Sequence, residues 1–164
     1  LYKFYNVENI IRIGSAGAYT DYLNLLDIVL VNGSYTEGNF ANNMNNKQEH
    51  FALASLELNK KIIEVANKNE KELVVANTAC TEVFDPYIDD VNILISRFPK
   101  EYNIKAAEME AFAIFYVAKV LNKNAACLLT VVDSIVKKES ISSEARQKSL
   151  NDMIEIALEA AINL

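Results

Sequence analysis

The chain has 164 residues, with 16 basic and 22 acidic side chains and a formal charge of −6, which is the length of one domain. Apolar residues make up 51% and charged residues 23%, a composition that excludes disorder and allows a real core. The acidic balance argues against a nucleic-acid backbone or an anionic membrane as partner, and no apolar run nears the roughly 18 residues that cross a bilayer. No secretory leader pattern opens the chain.

Ile10 to Gly14 is a short β-branched run that reads as a buried strand ending in a glycine turn. Asp27 to Val31 reads as a second strand. Residues 33–49 are polar and asparagine-rich and read as a long loop. Phe51, Ala54, Leu58, Ile62 and Val65 fall near helical spacing, so a helix is expected over 50–68. Glu72 to Ala76 reads as a strand, and Ile88 to Phe98 as a helix stopped by Pro99. Lys105 to Glu108 reads as a short strand feeding a helix that runs through Leu121. Ala125 to Val132 suits a central strand. Ser142 is placed to cap a last helix with an apolar stripe of Leu150, Met153, Ile154, Ala157, Leu158 and Ala161. Strands alternating with helices, and apolar on both faces, give an α/β class with a largely covered sheet.

Three constellations carry chemistry. Arg12-Ile13-Gly14-Ser15-Ala16-Gly17 combines a guanidinium, a hydroxyl and glycines that permit close backbone approach, a set suited to phosphate. It lacks the spacing of a P-loop or a dinucleotide fingerprint, and also reads as a plain corner with its arginine in a structural ion pair. Ala107-Glu108-Met109-Glu110-Ala111 would put both carboxylates on one side if extended, ready for sugar hydroxyls. The same acids also read as helix-start residues favoured by the dipole. In Thr130-Val131-Val132-Asp133-Ser134 an aspartate sits at the carboxyl end of a hydrophobic strand, where burial can raise its pKa for general-acid work. It also reads as a residue that merely turns the chain. Arg146 follows on the next helix, within reach of it.

The rest is plainer. Cys80 and Cys127 read as buried thiols in a reducing cytoplasm, and with one histidine, His50, there is no zinc ligand set. His50 reads as a capping or surface residue. Phe84, before Asp85-Pro86, reads as packing, although an aromatic beside a loop can also stack on a base. Tyr19, Tyr22 and Tyr35 show no interpretable pattern.

Arg12 to Ala18, the Glu108-Met109-Glu110-Ala111 segment, Val132-Asp133-Ser134, Glu144 to Gln147 and Asn151 to Glu159 occur in an order and at separations that resemble the bacterial hexameric-type purine nucleoside phosphorylases of the nucleoside phosphorylase/uridine phosphorylase superfamily. The resemblance covers essentially the whole chain. It implies a mixed central sheet flanked by helices, one domain over 1–164 lacking its N-terminal portion, and phosphorolysis of purine nucleosides to free base and ribose 1-phosphate. Position by position it implies phosphate binding by Arg12 and Ser15, ribose binding by Glu110 with Met109 and Glu108, and base contacts from Phe84, Ala107 and Val132. Asp133 becomes the acid that protonates the leaving purine, and Arg146 its partner. It further implies phosphate as co-substrate without metal or organic cofactor, and a cytoplasmic trimer of dimers with sites at the dimer interface. Two departures stand out. Val132 occupies a position that is commonly serine, and family chains begin well before Ile10, with a further phosphate loop and part of the sheet. A chain starting at Leu1 is therefore expected to carry half a phosphate site and an uncovered sheet edge. Two alternatives stay open: a nucleosidase that uses water, and a truncated chain that binds nucleosides without catalysis.

Overall fold

A computed structural model describes residues 1–148 and 150–164. Its frame is set by two long strands, β1 (Asn9–Ala18) and β6 (Asn124–Ser134), which run parallel from Asn9↔Asn124 to Ala18↔Ser134. β6 is apolar along nearly its whole length because it is covered on both faces. Ala125, Cys127, Leu129 and Val131 face one core with Phe112, Phe115 and Tyr116, and Ala126 and Leu128 face another with Leu58, Ile62, Met153 and Ile156. The period-2 alternation thus sorts residues between two cores instead of between core and water.

β2 (Ile28–Tyr35) alternates in the same way, and β4 (Val74–Cys80) and β5 (Ile104–Glu108) extend the sheet. The pairings β1–β5, β5–β4, β4–β2, β2–β6 and β6–β1 close five strands into a ring of mixed direction. β3 (Phe51–Leu53) is added on β2, and β7 (Glu139–Ser140) on β6. α4 (Ala111–Val120) covers one side, and α2 (Leu56–Lys68) with α6 (Asn151–Ile162) the other. This is the expected mixed sheet flanked by helices. β1 meets β5 only at Gly17 and Ala18, so among the described residues its earlier part is laddered to β6 alone.

Several local expectations need correction. The Gly14-Ser15-Ala16-Gly17 segment is not a turn: β1 runs through it to Ala18, with a register shift between Ala16 and Gly17 that re-aims the strand. Residues 33–49 are not one loop. β2 continues to Tyr35, and α1 (Phe40–Asn45) forms despite its asparagines. Tertiary contacts override weak propensity there: Phe40 packs edge-on against Phe112 and Tyr116, and the Tyr116 hydroxyl donates to Asn45 Oδ1 at 2.9 Å. The helix expected from residue 50 begins at Leu56, because Ser55 caps it and Phe51 belongs to β3, stacked on Tyr102 at 4.2 Å. The spacing of Phe51 and Ala54 matched the helical period by coincidence.

The helix before Pro99 is α3 (Val91–Arg97), capped by Asp90 and ended by the extended Phe98 that a following proline favours. The C-terminal helix is two helices, α5 (Ser143–Lys148) and α6, with Ser142 Oγ accepting from the Ala145 amide at 3.1 Å. The buried stripe of α6 is Met153, Ile156, Ala157 and Ala160. Leu158 and Ala161, expected within it, instead line a groove beside Ile11 and Ile13. No helix among the described residues is long and apolar enough to cross a membrane.

Candidate active site

β1, β5 and β6 end side by side. Around those ends lies a cavity of about 150 Å³ that gathers all ten residues singled out from the sequence: Arg12, Ser15, Phe84, Ala107, Glu108, Met109, Glu110, Val132, Asp133 and Arg146. Ala16, Gly17, Thr81 and Asp85 complete its wall. A larger cavity of about 360 Å³, lined by Tyr35, Cys80, Arg97 and Phe98, holds none of the ten.

Arg12 leaves β1 and folds back over Gly14. A Cβ on Gly14 would sit 2.6 Å from Arg12 Nη1 and 3.0 Å from Cζ. Nη2 pairs with the exposed carboxylate of Glu110, and Nη1 points at Cys127 Sγ at 3.5 Å. Burial works against the guanidinium charge, but Cys127, Glu110 and Glu108 outweigh it and leave the pKa above its ordinary value. The structural ion pair open at the sequence level therefore exists, with Glu110 as its partner. Ser15 is exposed on the same strand.

The two glutamates do not share a side. β5 ends at Glu108, and Glu110 leaves the extended region with φ −139° and ψ −22°. Glu108 turns inward. Oε1 accepts from Ser34 Oγ at 3.1 Å, and Oε2 accepts from the amides of Glu110 at 2.8 Å and Ala111 at 2.6 Å. It thus satisfies amides at the start of α4, the dipole reading, while burial still pushes its pKa up. Ala107 and Glu108 line the cavity from buried positions, while Glu110 and the half-exposed Met109 are the members of this segment open to solvent there.

Asp133 does not turn the chain; it lies within β6, opposite Gly17 across the register shift. Burial raises its carboxyl pKa first, the nearby Asp85 raises it further, and Arg146 on α5 pulls it down. Val132 is buried beside it, and Ala107 is buried at the end of β5. Phe84 is exposed at the cavity rim, edge-on to Tyr87 at 6.3 Å.

Asp85 and Tyr19 escaped sequence reasoning. Asp85 opens a 3-10 turn with Pro86, and the Tyr19 hydroxyl donates to its Oδ1 at 2.6 Å. Only the Phe84-Asp85-Pro86 string hinted at a turn there; nothing local placed an acid from residue 85 beside residue 133. Cys127 is buried and Cys80 partly so, both free, with burial pushing both thiols up to about 12. His50 joins β3 to the end of β2, its Nδ1 standing 3.0 Å from the Thr36 carbonyl.

Comparison with known proteins gives the chain a family and a fold. The family model of the phosphorylase superfamily matches residues 1–163. A DeoD-type 2 purine nucleoside phosphorylase of Vibrio parahaemolyticus is 36% identical over 98% of the chain, and a DeoD-type purine nucleoside phosphorylase of Mycoplasma genitalium is 39% identical over 97%. The chain spans 66% of the length of each of these relatives. A solved structure of the P knowlesi homolog of P falciparum PNP superposes with a TM-score of 0.75 over 94% of this chain and 61% of its own, at 21% identity, a likeness of fold. With the family model matched over nearly its whole length, the chain belongs to the phosphorylase superfamily.

Proposed function

We propose that this chain carries the nucleoside-binding and acid parts of a purine nucleoside phosphorylase. The observation that carries the reading is the convergence, in one cavity, of a guanidinium and hydroxyl, an exposed carboxylate, and a half-buried acid with an elevated pKa. Each fits one demand of the reaction. The bond from the sugar's anomeric carbon to the purine breaks, the purine leaves with the bonding electrons, and a phosphate oxygen forms the new bond to carbon. Asp133 supplies the proton the leaving base needs, which requires it to be protonated near neutral pH. Arg12 and Ser15 hold the phosphate beneath the sugar, and Glu110 binds the ribose hydroxyls.

With no substrate bound, Arg12 and Glu110 neutralise each other. Phosphate replaces that carboxylate on the guanidinium and frees Glu110 for the sugar, so the two substrates help each other to bind. Phe84 stacks on the base at the rim, while Ala107, Met109 and Val132 give it apolar contact. Glu108 acts through the start of α4. Arg146 closes over Asp133 and stabilises the carboxylate left once the proton has gone. No metal or organic cofactor enters. One domain, a cytoplasmic setting and a homo-oligomer built as a trimer of dimers complete the proposal, as the family resemblance implies.

The test is purine release from inosine or adenosine by the full protein, followed by base absorbance with and without phosphate. Release that requires phosphate is expected. Equal rates in both conditions would replace the reading with hydrolysis by water.

A further inference from the structure

Gly17 marks an unusual meeting point. A Cβ there would stand 2.7 Å from Asp133 Oδ2 and 3.6 Å from Asp85 Oδ2, so two carboxylate oxygens from distant parts of the chain border the one position that the missing side chain leaves open. Asp85 is not free to swing away. It is buried, and its other oxygen accepts from the equally buried Tyr19 hydroxyl at 2.6 Å. Tyr19 follows β1 directly, so one strand supplies both the gap at Gly17 and the tyrosine beyond it. Phe84, the proposed base-stacking ring, precedes Asp85 in the chain. A base lying on Phe84 is therefore brought to the same corner.

We propose that Asp85, anchored by Tyr19, is a positioning residue that keeps the proton on Asp133 in the resting site. This rests on the acid role given to Asp133 above. Two carboxyls this close do not both ionise readily, and the one with a dedicated donor is the better anion. Tyr19 donates to Asp85, so Asp85 takes the charge and Asp133 keeps the proton. Both carboxyls are held above their ordinary range, chiefly by burial; the neighbouring Asp85 raises Asp133 further, while the Tyr19 hydrogen bond works in the opposite direction on Asp85. Tyr19 is itself held far above its ordinary pKa by burial and then by Asp85, so it stays a donor throughout the working range. Arg146, from α5, is the cation facing Asp133, and it favours the anion once the proton has been passed to the base. Resting state and product state are thus served by different neighbours.

The experiment is a pH titration of the Asp133 carboxyl carbon in the full protein with ¹³C-labelled aspartate, assigned by its disappearance in Asp133→Asn. Asp85→Asn is expected to lower the Asp133 midpoint by about one pH unit by removing the like charge. Tyr19→Phe should also reduce proton occupancy on Asp133, by less, because Asp85 becomes the poorer anion and competes for the shared proton. In kinetics, the alkaline limb of kcat/KM for inosine should move down with the midpoint, costing about tenfold per unit above it. The rate with 7-methylinosine, whose base leaves without a proton, should hardly change, whereas a merely structural Asp85 would slow both substrates alike. An Asp133 midpoint unmoved in both variants overturns the proposal. A midpoint that moves as expected in a protein without phosphorolysis supports the coupling and overturns the phosphorolysis reading instead.

Discussion

At Gly14 the cavity holds opposite charges, Arg12 against Glu110. At Gly17, farther along the same strand, it holds two groups of the same sign, Asp133 and Asp85. The first pair is self-neutralising and half open to water, and in the proposed reaction an incoming anion would exchange one acceptor for another. In the second, Asp85 is buried and Asp133 half-buried, and burial pushes both carboxyl pKa values up, with Asp85 raising Asp133 further. One strand thus separates a binding end, where charge is already compensated, from a chemical end, where charge is deliberately frustrated. The difference teaches that elevated pKa values, more than ion pairs, mark where the proton moves.

Breaking the chemical end should have the largest effect. Asp133→Asn is expected to lower kcat for inosine by about 10²–10⁴-fold, with a much smaller loss for 7-methylinosine, both measured under saturating phosphate. A uniform loss for the two nucleosides would remove the proton-donor role. Breaking the binding end should cost less. Arg12→Ala is expected to lower kcat/KM for phosphate by roughly 10- to 150-fold, the value of a charge-assisted contact, and phosphate titrations read it directly.

The glycines sharpen the contrast. In each, the added methyl meets the movable end of a side chain, so the fold should tolerate alanine within about 1 kcal/mol while the displaced group loses its aim. Gly17→Ala should therefore lower kcat by about 10- to 100-fold, and Gly14→Ala should act mainly on KM for phosphate. If both variants change the same kinetic constant, the division between the two ends is wrong.

The smallest effect is on stability. Asp133 and Asp85 have native pKa values above those of unfolded chains. Between the ordinary carboxylate range and those native values the folded state holds protons that the unfolded state has lost. Stability must then fall as pH rises through that window. Asp133→Asn should flatten this slope and make the protein more stable near neutrality, as urea unfolding from acid to neutral pH would register. A steeper slope in the variant would contradict the direction of the shift.

Much of the site was legible because chemistry and topology coincide. Glu110 and Asp133 lie just beyond or just before the ends of β5 and β6, and strand ends are where such sheets place their ligands, whereas Arg12 stands within β1 and enters the cavity through its long side chain. β6 and the first half of β2 were legible because both faces are covered and the runs are continuously apolar. What stayed hidden was non-local. α1 exists through Phe40 packing on α4, and β3 through Phe51 on Tyr102, contacts that no window of sequence contains. Glu108 would be a partner of Glu110 only if the strand ran on to Glu110, two residues beyond where β5 ends, and Asp85 carries no local sign of its role because its partners come from residues 19 and 133. The Gly14 and Gly17 positions were read as room for a ligand; the room is filled by the protein's own arginine and aspartates.

The parallel pairing of β1 with β6 also has a consequence in time. These strands are more than a hundred residues apart in sequence, and the proposed site draws Arg12 from one and Asp133 from the other. On a ribosome adding about 5–20 residues per second, Asp133 is made on the order of ten seconds after Arg12. Until then β1 lacks the neighbour that runs its full length, and the ring of strands is open. Contacts between such distant segments carry a high closure entropy and make for slow folding. A chain that stops short of β6 therefore has neither Asp133 nor a closed ring of strands.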